Sequence, residues 1–163
     1  ALNDPNPVMF FEHKALYRSL SSHISADYYA TPIGEARVVQ QGSDATIITY
    51  GMGVLWAQAY AMQHPDESLY ILDLRSLLPL DYAAIRAAVA ATGKVLVLHE
   101  ATLTGGFGGE ISAWIAEHCF SMLDAPVLRC ASLDTPVPFN LQLEQQFLAK
   151  SRLKKCMKQL MAY

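Results

Sequence analysis

The feature that most constrains the fold is an alternation of strand and helix patterns that begins near Ala36. Apolar, β-branched runs at residues 45–50, 68–74, 94–99 and 126–130 are each followed by a turn and a stretch with helical periodicity. Helices that join successive strands of one sheet hold those strands parallel and cover the two faces of the sheet. The alternation therefore predicts an α/β fold with three layers.

The first strand of this series departs from the parallel rule. Residues 36–40 read as a short strand, and the turn at residues 41–44 leads directly into the next strand. A turn this tight is typical of antiparallel neighbours. We therefore expect a mixed five-stranded sheet that is mostly parallel and has one antiparallel edge strand.

Helix signals support the same reading. Asp81 is placed to cap a helix whose Ile85 and Val89 share one face, and Gly93 ends it. Further helices are predicted at residues 54–63, from the glycine-rich segment to about 122, and at about 148–161. Before residue 36, residues 8–12 form an apolar run that predicts a buried strand, and residues 19–34 read as a connector.

Composition restricts the class of protein. The chain has 163 residues, of which 52% are hydrophobic and 17% charged, so part of the apolar surface is expected in an interface. Its net charge of −3 gives no reason to expect a nucleic-acid partner or an anionic membrane. Three widely spaced cysteines lack zinc-site spacing and read as reduced thiols. With no apolar run long enough to cross a bilayer and no leader pattern, we expect a cytoplasmic protein.

Two glycines imitate part of a dinucleotide-binding fingerprint. Gly51 and Gly53 follow a strand, and Asp73 ends the next strand about 20 residues later. Trp56 stands where the third glycine of that motif belongs, which argues against it. The glycines are also explained by a sharp turn, so a stand-alone nucleotide-binding module is kept only as the alternative function.

A second glycine-rich segment follows the strand that ends at His99. It carries four glycines and one phenylalanine at the start of a helix, on the edge of the sheet where α/β proteins place ligands and partners. The segment lacks the Lys and Ser/Thr of a phosphate loop, and we interpret it as an interface rather than a catalytic loop. The interface candidates are His99, Glu100, Thr104, Gly105, Gly106, Phe107, Gly108, Gly109 and Glu110.

Other polar clusters favour structural roles. Glu12, His13, Lys14 and Arg18 read as a salt-bridge network, and a basic helix near the end of the chain reads as a docked helix with a solvated outer face. No catalytic triad, nucleophile elbow or metal-ligand spacing is present in the sequence. We therefore assign no catalytic, cofactor-binding or metal-binding residue within this chain.

Several motifs, taken in order, point to a known family. They are DPNPVMFFEHKALYR (4–18), PIGEAR (32–37), DLRSLLPLD (73–81), HEA (99–101), TGGFG (104–108) and DTPVPF (134–139). Together they resemble the β subunit of thiamine diphosphate-dependent 2-oxo acid dehydrogenase E1 components, of the pyruvate and branched-chain type. The resemblance covers essentially the whole chain.

The resemblance implies a domain organisation. Residues 1–18 are similar to the last strand of a pyrimidine-binding domain, residues 19–34 to a connector, and residues 35–163 to a transketolase-type C-terminal domain. It follows that the catalytic groups and the Mg and diphosphate site lie elsewhere in a longer protein, so we expect no thiamine diphosphate and no activity for this piece alone.

The family also implies partners. These are an E1 α part, a second β copy, and an E2 acyltransferase whose lipoyl group accepts the acyl product of oxidative decarboxylation. We expect the Phe107 segment to serve this assembly, so that Phe107→Ala weakens oligomerisation.

Overall fold

The structure is a computed structural model that describes residues 3–163, and the chain divides into two units with the boundary between Thr31 and Pro32. In the first unit the described residues form one regular element, a 3₁₀ turn at Lys14–Leu16. The strand expected at residues 8–12 is absent, and its side chains are exposed, Phe11 by 86%. That prediction was wrong for this chain because a strand needs a neighbour for its backbone hydrogen bonds, and none is formed here.

The second unit has the predicted alternation. Its strands are β1 (Arg37–Gln40), β2 (Ala45–Thr49), β3 (Leu69–Asp73), β4 (Val95–Thr102) and β5 (Leu128–Ser132). Its helices are α1 (Met52–Gln63), α2 (Tyr82–Thr92), α3 (Gly108–Cys119), α4 (Leu141–Phe147) and α5 (Leu153–Met161). Short 3₁₀ turns follow α3 and precede α5.

The five strands found among the described residues form one sheet in the order β1-β3-β2-β4-β5. β2, β3, β4 and β5 run parallel, and β1 is antiparallel at one edge, which confirms the predicted mixed sheet. The expected partner of β1 was wrong, since β1 pairs with β3 and not with β2.

Gly42 explains how so short a connection skips a strand. A Cβ on Gly42 would lie 2.3 Å from the carbonyl carbon of Leu69, so the connection passes directly over the beginning of β3. Two strand spacings amount to about 9.6 Å, and four extended residues reach about 13 Å. The turn at residues 41–44 is therefore a crossing and not a hairpin.

Helices cover both faces of the sheet. On one face α1 and α5 pack on Ile47, Ile71 and Leu98, and on the other α2 and α3 pack on Ile48, Leu72 and Val97. Neighbouring strand residues such as Ile47 and Ile48 thus enter opposite cores, as the alternation of strand side chains requires. The three-layer prediction is confirmed.

Two helix ends match their sequence signals. The Asp81 carboxylate accepts a hydrogen bond from the Ala84 amide at 2.9 Å and another from the Ala36 amide at 3.0 Å, which ties the start of β1 to α2. Gly93 ends α2 with φ +66°. The helix α4, capped by Asn140, was not predicted. Its Leu141 and Leu143 are exposed and Phe147, its last residue, is buried, so the repeated buried apolar positions by which periodicity reveals a helix are missing.

Candidate functional site

Two loops with the helix starts that follow them, and one side chain of β5, surround an open groove at one edge of the sheet. The carboxyl ends of β2, β3, β4 and β5 share this edge because the four strands are parallel. The groove has a volume of about 730 Å³. It is lined by Leu77, Leu78 and Tyr82 after β3, by Leu103, Thr104, Gly105, Gly106, Phe107, Gly109 and Glu110 after β4, and by Arg129 of β5.

The glycine loop rests on the ring of His99. A Cβ on Gly108 would lie 2.3 Å from His99 Nε2, and one on Gly106 would lie 2.6 Å from His99 Cε1 and 2.2 Å from the Thr102 carbonyl oxygen. These two glycines are thus required by packing within the chain. The interpretation of this segment as an interface does not account for Gly106 and Gly108, because the neighbour that excludes a side chain at both positions is His99.

His99 is fully buried where β2 and β4 lie side by side. Its ring is nearly parallel to that of Tyr50, with the centroids 6.1 Å apart. Both imidazole nitrogens are inaccessible and have no hydrogen-bond partner among the described residues. The ring therefore supports the loop and is not presented to a ligand in the groove.

Burial also sets the charge of this ring. Burial lowers the pKa of His99, and the positive charge of Arg129 lowers it further. The nearby main chain of Ala101 raises the pKa by a smaller amount than burial lowers it, although it forms no hydrogen bond with the ring. Burial likewise raises the pKa of the Tyr50 hydroxyl. Both effects favour the neutral form, as expected for groups removed from water.

Two residues anchor the glycine loop, Arg129 of β5 and Asp134 of the loop that follows β5. Asp134 accepts hydrogen bonds from the Thr104 amide at 2.8 Å and the Thr104 hydroxyl at 2.7 Å. These bonds lower the pKa of the Asp134 carboxyl, the backbone bond most strongly. Arg129 Nη1 donates to the Leu103 carbonyl at 3.1 Å. The loop is therefore held at its start by side chains from the adjacent strand region.

The remaining predicted site residues differ in their placement. Phe107 is half-buried and packs against the core that contains α2 and α3, so it is partly a core residue. Gly105 has φ +73° and nothing near its missing Cβ, and Gly109 faces Arg129. Glu110 lies on the rim in the first turn of α3. Glu100 is half-buried in β4 and is not part of the groove lining.

Sequence reasoning missed the apolar part of this edge. Leu78 is 90% exposed and Tyr82 and Leu103 are also exposed, all three in the groove lining. Large apolar side chains are also exposed in the segment from the end of β5 into α4: Leu133, Val137, Phe139, Leu141 and Leu143. Large apolar side chains in segments between strands were the available signal, because solvated loops rarely concentrate them.

Packing within the domain explains Gly53, one of the two glycines on which the nucleotide-binding alternative rests. A Cβ there would lie 2.1 Å from Thr49 Oγ1 and 3.2 Å from the Leu98 carbonyl oxygen, so the glycine permits α1 to pack against the sheet. Trp56, a residue of α1, is buried in the core between this helix and the sheet. Both residues are explained by packing of α1 on the sheet.

The described residues do not fit thiamine diphosphate or its metal. Within residues 3–163 no group of three or more His, Cys, Asp or Glu side chains is arranged to hold a metal ion. The groove offers one cation, Arg129, whose Nη1 already donates to the Leu103 carbonyl, beside the anionic Glu110. We therefore derive no catalytic step within this chain. No described helix combines the length and apolarity that crossing a bilayer demands.

The three layers, the sheet order and the loop-lined edge define an α/β domain of the doubly covered, mostly parallel class. Residues 34–152 match the family "Transketolase, C-terminal domain", and the chain belongs to that family. A solved structure titled "Split gene transketolase, inactive beta4 tetramer" has the same fold. It superimposes with a TM-score of 0.69 at 21% identity over 88% of this chain and 46% of that one.

Several curated proteins are similar to this chain in sequence, and all three described here are β subunits of 2-oxo acid dehydrogenases. The β subunit of 2-oxoisovalerate dehydrogenase from Bacillus subtilis is 42% identical over 151 residues, 91% of this chain and 46% of the relative. Subunit β 2 of the mitochondrial enzyme from Arabidopsis thaliana is 42% identical over 85% of this chain and 39% of the relative. The β subunit of the pyruvate dehydrogenase E1 component from Mycoplasma pneumoniae is 37% identical over 99% and 50%. The chain thus spans half or less of these relatives.

Proposed function

We propose that this chain is the C-terminal assembly domain of the β part of a 2-oxo acid dehydrogenase E1 component. The relatives at 37–42% identity are named as such β subunits, of both the pyruvate and the 2-oxoisovalerate enzymes. The complete protein would decarboxylate a 2-oxo acid oxidatively and pass the acyl group to a lipoyl carrier. The nucleotide-binding alternative has no support from the family or from Gly53.

In this proposal the cofactor is held outside the described residues. Thiamine diphosphate and Mg²⁺ would bind in the part of the relatives that this chain does not span. The contribution of the described domain is mechanical: it holds subunits in register, so that groups from other domains enclose the cofactor. A site between two domains loses affinity when one wall is missing, so the chain alone is expected to be inactive.

One observation carries the assembly role: the apolar groove at the carboxyl edge, built by a loop that His99, Asp134 and Arg129 hold in place. A rigid loop loses little entropy on docking, and exposed apolar side chains around it gain from being covered. We propose that this edge contacts a second β copy or the α part, and that the same domain contributes to binding of the E2 acyltransferase.

The test uses the complete E1 protein with its α part. Leu78→Asp puts a charge on the groove while removing no buried contact, so we expect dissociation into smaller species at micromolar concentration in sedimentation velocity. Met62→Asp is the matched control, because Met62 is 77% exposed and lies outside the groove lining. An unchanged oligomer for Leu78→Asp would contradict the role of this edge.

A further inference from the structure

A second, smaller groove brings two cysteines together. It has a volume of about 260 Å³ and lies between β5 and the beginning of α5. Cys130 and Cys156 both line it, beside Arg152, Ser132 and Asp134. Nothing in the proposed assembly role uses either thiol, and we define these residues as the thiol groove.

The two sulfur atoms occupy different depths of this groove. Cys130, at the centre of β5, is buried, and its thiol donates to the Ala149 carbonyl at 3.4 Å. Cys156 lies in the first turns of α5 and is half-buried, so it is reached from the open side. Cys130 belongs to the buried cluster beneath α1 and α5, Cys156 packs against that cluster, and both side chains line the same groove.

Neighbouring charges distinguish the two thiols. Arg152 is fixed beside them, since its Nη2 donates to the Ala131 carbonyl at 2.6 Å and the Phe147 carbonyl at 2.9 Å. The Cys130 side chain has the largest lowering effect on the pKa of Cys156, and the charges of Arg152 and Lys155 lower it further against the effect of burial. The Cys156 side chain and burial raise the pKa of Cys130. Of the two thiols, Cys156 is therefore the one that ionises more readily.

We propose that Cys156 is a peroxide-reactive thiol and that Cys130 resolves its oxidised form into a disulfide that joins α5 to β5. First, the Cys156 thiolate attacks one oxygen of hydrogen peroxide, forming an S–O bond as the O–O bond breaks and hydroxide leaves. Cys130 then gives up its proton and attacks the Cys156 sulfur, forming the S–S bond as the S–O bond breaks and water leaves. Two thiols lose two electrons in total, and one peroxide becomes two waters.

The proposed disulfide would form close to the residues that hold the glycine loop. The thiol groove shares Leu103, Arg129 and Asp134 with the surroundings of that loop, and Asp134 holds Thr104 by two hydrogen bonds. A covalent link between β5 and α5 therefore forms beside the anchor of the candidate interface. Loss of the cross-link on reduction restores the two thiols.

Cys119 is an internal control for reactivity. It is fully buried at the end of α3, in the opposite core, and lies outside the thiol groove. At neutral pH we expect iodoacetamide to modify Cys156 about tenfold faster than Cys119, because the thiolate is the reactive form and Cys156 is accessible. Equal rates for the two cysteines in the folded protein would overturn the proposal.

The decisive experiment maps disulfides in the complete protein. It is treated with one equivalent of hydrogen peroxide, alkylated, denatured and digested with trypsin, which releases residues 130–150 and 156–158 as separate peptides. We expect these two peptides to be joined in the oxidised sample and to separate after dithiothreitol. Absence of the joined peptide from folded, oxidised protein would overturn the proposal.

Two variants separate the roles. Cys130→Ser should leave the Cys156 sulfenic acid unresolved, so that dimedone labels the 156–158 peptide, while Cys156→Ser should give neither label nor cross-link. Cys119→Ser should behave like the unaltered protein. Circular dichroism of each variant establishes that it is folded. Dimedone labelling of Cys130 in place of Cys156 would contradict the assignment.

Discussion

Gly108 lies directly against the imidazole of His99, so closely that a Cβ on Gly108 would come within 2.3 Å of both Cδ2 and Nε2. The two residues are nine positions apart, one in β4 and the other at the first residue of α3. This contact fixes the height of α3 above the sheet and the path of the loop between them. A histidine near a glycine-rich loop here is part of the support of that loop.

We expect Gly108→Ala to destabilise the domain by about 1–3 kcal/mol, because the added methyl must displace a buried ring. Chemical denaturation followed by tryptophan fluorescence measures this. Gly109→Ala is the matched control with a cost within about 1 kcal/mol, since its Cβ would lie 3.3 Å from Arg129 Nη1, which needs to shift by only a few tenths of an ångström, and alanine favours a helix. In the double variant His99→Ala with Gly108→Ala, the loss of unfolding free energy should be smaller than the sum of the losses in the two single variants.

The stability of the domain should fall with pH below about 6.5, the ordinary pKa of histidine in an unfolded chain. Burial lowers the pKa of His99, so between its ordinary and its lowered pKa the unfolded state binds a proton that the folded state does not. Stability is therefore retained above that window and lost as pH falls through it, by up to about 1.4 kcal/mol per pH unit.

The measurement is the slope of unfolding free energy against pH for His99→Gln. We expect a flatter slope between pH 5 and 7, roughly the histidine range. His118→Gln alters an exposed residue of α3 and should retain the original slope. Identical slopes for all three proteins would show that His99 does not carry the effect.

Phe107→Ala should act on both folding and assembly. Phe107 is half-buried against the core, so truncation should cost about 2 kcal/mol, below the cost for a fully buried Phe. If the proposed function holds, the variant should also weaken oligomerisation of the complete protein, with loss of turnover following loss of assembly. Sedimentation and activity on one sample measure this, and an intact oligomer without turnover would indicate a catalytic loop instead.

Asp134→Ala should loosen the glycine loop without unfolding the domain. The variant removes both acceptors of Thr104, so amide hydrogen exchange at residues 103–109 should accelerate while exchange in β4 is unchanged. Thr104→Ser keeps the amide and a hydroxyl and should exchange like the unaltered chain. Exchange that stays slow in Asp134→Ala would mean that His99 and Arg129 are sufficient to hold the loop.

Local patterns in the sequence were sufficient for the order and type of most elements. Strand runs, the Asp81 cap, the face formed by Ile85 and Val89, and the Gly93 terminus all depend on residues within a few positions of one another. Such signals reflect backbone sterics and periodicity, which do not require a partner elsewhere in the chain. The helix α4 was not predicted because its leucines are exposed. The strand predicted at residues 8–12 is not formed, because it has no neighbouring strand to pair with.

Only the tertiary structure decided which distant residues meet. A four-residue turn is compatible with a hairpin or a crossing, and the backbone of Leu69 beneath Gly42 selects the crossing. The packing of Gly106 and Gly108 against His99 is likewise a contact between a strand and the loop that follows it, which no local pattern reveals. Cys130 and Cys156, separated by 26 positions, share one groove because α5 packs on β5. The physical reason is common to all three: periodicity is a local property, whereas contacts across the sheet depend on how completed elements pack.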